Sequence, residues 1–173
     1  MKRTLILLII LSIPLLNYGN TTTHKSYDEK LVCQQLESAL NYLSQNTDFK
    51  NCKFRIDTFI RDGWGYDSFA NQYVAKKLNV QPDNVWMQDK SEVGKIYKNI
   101  EGKVYTSGYY LESACYSRKR RPNTLISKLD NKSMLIHITT GRLGKEGASG
   151  YNFLFFFDES YKVESFYQSS WIE

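Results

Sequence analysis

Ser133-MLIHITT-Gly141, Tyr151-NFLFFFDE-Ser160 and Tyr161-KVESFYQSSW-Ile172 are three runs dominated by aromatic and aliphatic residues, each short enough to be one strand. Together they read as an antiparallel meander. The second connection, Asp158-Glu159-Ser160, has polar turn chemistry. The first holds Gly141, Gly144, Gly147 and Gly150 and can curl without steric cost. A sheet this apolar needs a covering layer.

The chain before it supplies one. Ser26-Tyr27-Asp28-Glu29 fits a capping box, and Leu31, Val32, Gln35, Leu36, Ala39, Leu40 and Leu43 then recur at helical spacing to about Gln45. The spacing predicts an amphipathic helix lying on the sheet. Cys52 to Asp57 alternates like a strand, although Phe59-Ile60 equally extends a second short helix. Asp62-Gly63-Trp64-Gly65-Tyr66 reads as a turn, with Asp67 or Ser68 capping a helix that carries Phe69, Tyr73, Val74 and Leu78 and ends at Pro82-Asp83-Asn84. Ser91 to Ile100 predicts another short helix, capped by Asp89 and stopped at Gly102. From Lys103 to Ser117 the period becomes two, a long strand, and Leu125, Ile126 and Leu129 form a short apolar cluster. Helices first and strands last predict an α+β fold, N-terminal helices covering one face of a curved antiparallel sheet.

The residues Phe155-FFDESYKVES-Phe166 resemble the last hairpin of the NTF2-like family, in which an apolar strand, an acidic turn and a lysine-aliphatic pair precede the final strand. The resemblance covers about forty residues. It implies a cone of curved sheet around a pocket, closed by N-terminal helices, in a family of enzymes, ligand binders and protein-binding modules. It carries no functional residue over, and residues 100–129 do not align with it.

Residues 1–19 have the composition of an export signal: Lys2 and Arg3, an apolar run from Thr4 to Leu16, then Asn17, Tyr18 and Gly19. Membrane contact is expected only if that signal stays uncleaved. Residues 20–25 form a polar leader and 26–173 one secreted or periplasmic domain. The formal charge of +5 falls to +3 without Lys2 and Arg3, too mild to argue for nucleic acid. Cys33, Cys52 and Cys115 would enter a compartment where disulfides persist. Cys33–Cys52 is the preferred pair, with Cys52–Cys115 or three reduced thiols as alternatives. No histidine lies near a cysteine and there is no Cys-x-x-Cys, so no metal is expected, and no cofactor.

His137 is the one histidine in the body of the chain that can serve as a general base, and alternation places it opposite Ile136 and Ile138. Asp57, Asp62, Asp67 and Glu112 have no acid–base spacing, so catalysis is not expected. A strand histidine is more often structural. Arg118-Lys119-Arg120-Arg121 can bind phosphate, an acidic protein or an anionic membrane, or be a solvated loop. The loop with Arg142 and Lys145 lacks the Ser or Thr of a phosphate loop and reads as a hairpin tip. Thirteen tyrosines, Tyr109 and Tyr110 among them, suit wet interfaces. The expectation is a non-catalytic binding protein docking on a protein partner, as an inhibitor or toxin-immunity factor, through Arg142, Lys145, Tyr109, Tyr110, Arg118, Arg120 and Arg121. The alternative is an NTF2-like pocket holding or transforming a small apolar molecule around His137, with Tyr110 or Glu112. An enclosed cavity with His137 and a carboxylate would favour the pocket, and a filled core with an exposed Tyr/Trp patch the binding protein.

Overall fold

Asp28 starts the first helix: its Oδ1 accepts the Lys30 amide at 2.9 Å, satisfying one of the N–H groups that the first turn leaves without a partner. The computed structural model describes residues 28–46, 48–50, 52–101, 108–111, 123–140 and 147–172. Ser26 and residues 1–19, read from their composition as an export signal, lie outside them. Helix α1 (Glu29–Asn46) buries Val32, Leu36, Ala39, Leu40 and Leu43, the predicted stripe. Among the described residues six strands follow: β1 (Ile56–Asp62), β2 (Tyr109–Tyr110), β3 (Thr124–Lys128), β4 (Ser133–Thr139), β5 (Ser149–Phe157) and β6 (Val163–Ile172). They form one curved, unclosed sheet in the order β2-β1-β3-β4-β5-β6, antiparallel except where β1 runs parallel to β3. The fold is α+β.

The meander is β4, β5 and β6. Its second turn closes as Asp158 Oδ1 accepts the Ser160 and Lys162 amides and the Ser160 hydroxyl, which also lowers the Asp158 pKa. Phe153, Phe155 and Phe157 point to the α1 side with Ile56, Ile60, Ile126, Met134, Ile136 and Ile138. Each fully buried ring contributes roughly 2–3 kcal/mol.

The intervening residues Leu135, Leu154 and Phe156 bury against a second helical layer, so helices cover both faces of the sheet and not one. That layer is a 3₁₀ turn (Tyr66–Phe69), α2 (Ala70–Leu78), a second 3₁₀ turn (Pro82–Met87) and α3 (Lys90–Glu101). Its place follows from the parallel pairing of β1 and β3, because parallel neighbours need a long crossover and a helical one packs on the sheet. Asp89 caps α3 as predicted, its Oδ1 accepting the Ser91 and Glu92 amides at 3.0 Å each.

Two readings change, and a third falls largely outside the described residues. Phe59-Ile60 belongs to β1 and extends no helix. The apolar cluster at Leu125 and Ile126 is the central strand β3. Of the long strand read from Lys103 to Ser117, the described residues contain only the short edge β2, with residues 102–107 and 112–122 outside them. Among the described residues, no helix is long and apolar enough to cross a membrane.

Candidate functional site

His137 lies on the crossover-helix face of β4, opposite Asn152 of β5. Its Nδ1 is 2.6 Å from Asn152 Oδ1, and an amide oxygen only accepts, so Nδ1 carries the proton. Nε2 is left as an acceptor, with the Thr139 hydroxyl at 3.4 Å. The ring stacks on Trp171 at 4.9 Å and meets the Trp64 ring edge-on at 5.4 Å. Burial pushes its pKa below the ordinary histidine value; the bond to Asn152 opposes this and the charge of Arg61 adds to it. His137 is therefore a neutral imidazole clamped between two indoles.

Among the described residues no carboxylate is hydrogen-bonded to it. The nearby Asp57 is paired with Arg61 at 3.1 Å, and the guanidinium lies 5.5 Å from the Phe59 ring centroid and 5.7 Å from that of Trp64. The Trp171 indole N–H is buried with no acceptor among the described residues. This geometry fixes aromatic packing; among the described residues no second group stands where an acid–base or nucleophilic pair needs one. Among the described residues no three His, Cys, Asp or Glu side chains gather as metal ligands would.

A second polar cluster joins the two helical layers at the β3–β4 turn. Lys128, fully buried, donates to Gln35 Oε1 of α1 and to the Ser133 carbonyl at 3.0 Å, and Gln35 Nε2 donates to the Asn131 carbonyl at 2.6 Å. On the other face Asp130 accepts from the Tyr73 hydroxyl at 2.7 Å and the Ser133 hydroxyl at 2.8 Å, and pairs with Lys77. Tyr66 completes it, 3.0 Å from Ser133 Oγ. Burial works against an ionised Asp130, but the Lys77 bond and charge and the Tyr73 and Ser133 bonds outweigh it and hold its pKa at about 2. Burial drives Lys128 the other way, down to about 7. Every group has a structural partner, so the cluster reads as architecture.

Trp86 and Met87 are among the large apolar side chains that the described residues leave in solvent. In the second 3₁₀ turn Val85 faces inward and is buried, which turns its neighbours Trp86 and Met87 outward at 74% and 61% exposure. Trp86 borders an open cleft of about 410 Å³ whose other walls are Asn71, Pro82, Asp83, Val85, Val93 and Tyr97. Tyr97 donates to Asn71 across its floor. Among the described residues Asp83 is the one charged side chain lining it. A larger cleft of about 480 Å³ includes Lys76, Lys77, Lys132, Glu159 and Glu164, but its cations are paired, Lys76 with Glu164 at 2.7 Å, Lys132 with Glu159 at 2.5 Å and Lys77 with Asp130.

Of the residues singled out from sequence, Tyr109 and Tyr110 occupy β2. Tyr110 is 54% exposed, its ring 5.0 Å from Phe59. Tyr109 turns to the α1 side, where burial and the charges of Glu29 and Asp62 raise its pKa. Arg118, Arg120, Arg121, Arg142, Lys145, Glu112 and Cys115 lie outside the described residues. Cys52 is an exposed free thiol, so the preferred Cys33–Cys52 pair is not formed; Cys33 is half-buried on α1. Sequence reading passed over Trp86 and Met87, whose signal was an adjacent apolar pair matching neither a helical nor a strand period, between a Pro-Asp-Asn turn and the Asp89 cap.

Comparison with known proteins finds no matching family model, no matching curated protein and no matching solved structure.

Proposed function

We propose that this chain is an exported, non-catalytic binding protein that docks on a protein partner, with Trp86 and Met87 as its anchors. One observation carries the reading: two well-packed cores occupy the faces of the sheet while a tryptophan and a methionine stand in solvent side by side. Exposed aromatic anchors of this kind concentrate binding energy at interfaces, and soluble chains rarely leave them uncovered without a use. The cleft beside Trp86 has Asp83 as its charged residue, which favours a partner presenting an apolar pocket with a basic rim. The composition of residues 1–19 supports export. A small exported protein with one contact surface suits an inhibitor or a toxin-immunity factor. An NTF2-like relationship is part of this proposal, supported by the curved, unclosed sheet with helices packed on it.

The immobilised chain, challenged with the envelope fraction of its source, is expected to retain a protein that the Trp86→Ala, Met87→Ala double variant releases. Loss of one such anchor typically weakens binding by about thirtyfold or more. Because both side chains are exposed, the variant is expected to melt as the wild type does. Equal retention by both proteins, or a co-purifying small molecule with no protein, would reject the reading.

A further inference from the structure

An open sheet exposes backbone N–H and C=O groups along its two outer strands, and proteins protect such edges with shortness, charge, proline or bulges. One edge here, β2, is two residues long. The other, β6, is ten residues long and contains no proline. Its one charged residue, Glu164, sits near its start and is paired with Lys76, and its one irregularity against β5 falls between Phe156 and Phe157. Residues 165–172 therefore form a regular, uncharged edge, and no described strand pairs with their outer side.

We propose that the outer edge of β6 pairs antiparallel with β6 of a second copy of this chain, about a two-fold axis through Ser169. The side chains select this partner and register. With the axis at Ser169, Phe166 faces Ile172 of the other copy, Tyr167 faces Trp171, Gln168 faces Ser170, and both Glu164 residues fall beyond the paired segment. Apolar thus meets apolar and polar meets polar on both faces of the sheet. Ile172, 82% exposed in the single chain, gains an aromatic neighbour. Moving the axis to Gln168 sets Phe166 against Ser170 and Glu164 against Ile172; moving it to Ser170 sets Trp171 against Ser169 and Ile172 against Gln168. A strand that pairs with itself so well in one register has the self-complementarity of a closed, isologous interface. None of these residues belongs to the Trp86 surface, so the two proposals stand or fall separately.

Sedimentation velocity of the full chain across a wide concentration range is expected to show a monomer–dimer equilibrium. Gln168→Lys with Ser170→Lys places exposed like charges opposite each other twice across the axis and is expected to weaken the dimer roughly tenfold or more without unfolding the chain. In a Cys52→Ser background, Ser169→Cys brings two thiols together on the axis, where paired strands hold Cα atoms about 4.5–5.5 Å apart, within disulfide reach. A crosslink between the two copies of residue 169 is expected, and none from Ser165→Cys, which in this register faces position 173 of the other copy and not its own counterpart. A chain that stays monomeric at every concentration without that crosslink overturns the proposal, as does a dimer indifferent to the two lysines.

Discussion

Gly150→Ala is expected to cost about 3 kcal/mol of folding stability, far more than one methyl group usually does on a half-buried strand. Gly150 faces Thr139 in β4 and Trp171 in β6, and the indole lies directly over it on the way to His137. An added Cβ would overlap the Ile138 carbonyl oxygen and lie 2.6 Å from the Trp171 ring. The oxygen belongs to the backbone of a paired strand and cannot step aside; the indole can, but only by leaving its stack on His137. Urea denaturation is expected to give a much lower midpoint, with Trp171 fluorescence altered in the native baseline. Gly94→Ala is the contrast, since nothing lies within 4 Å of that position in α3 and the change is expected to stabilise by about 0.5–1 kcal/mol. Equal effects at the two glycines would show that the Trp171 stack is not constrained as described.

Wild-type stability is expected to rise between pH 7 and pH 10 relative to the Lys128→Met variant. Lys128 titrates at about 7 in the folded chain, chiefly because burial disfavours the ammonium, against an ordinary value of 10.5. Between those values the unfolded chain holds a proton that the folded chain has released, so unfolding takes up a proton and stability grows with pH. Below about pH 7 both states are protonated and the cost of burying the charge is present in full. Methionine removes that cost but leaves Gln35 Oε1 without its Lys128 donor, a loss of about 1–3 kcal/mol. At pH 6 the variant is expected to be the more stable by roughly a few kcal/mol, and near pH 10 the wild type should overtake it. Denaturation of both proteins at pH 6, 8 and 10 measures the crossing. Parallel curves would mean that Lys128 is not a buried, titrating group.

The sequence already carried most of the meander and α1, because both bury long, strictly periodic sets of side chains. It also held an unread signal for the second helical layer. Met134-Leu135-Ile136 and the unbroken run from Phe153 to Phe157 are apolar at every position, and a strand without polar alternation is covered on both faces. Strand β3 was harder, since it ends in a lysine that composition assigns to solvent and whose interior partners include Gln35, 93 positions away. Its parallel partner β1 is also distant in sequence, Ile56 pairing with Thr124. At the candidate sites, strand parity predicted the face of His137 but not its enclosure, because Trp64, Asn152 and Trp171 arrive from separate segments. Trp86 was illegible for another reason: six residues of 3₁₀ turn are too few to display a period.

Native mass spectrometry of the chain isolated from its source envelope, under conditions that keep weak complexes intact, asks most directly whether this molecule serves contact or turnover. The expected spectrum contains the chain bound to a second protein species, with Trp86→Ala, Met87→Ala shifting it to the unbound mass and no small molecule carried by the free chain. A chain that instead carries a stoichiometric small molecule, retained by the double variant and lost on replacing His137, would contradict the reading.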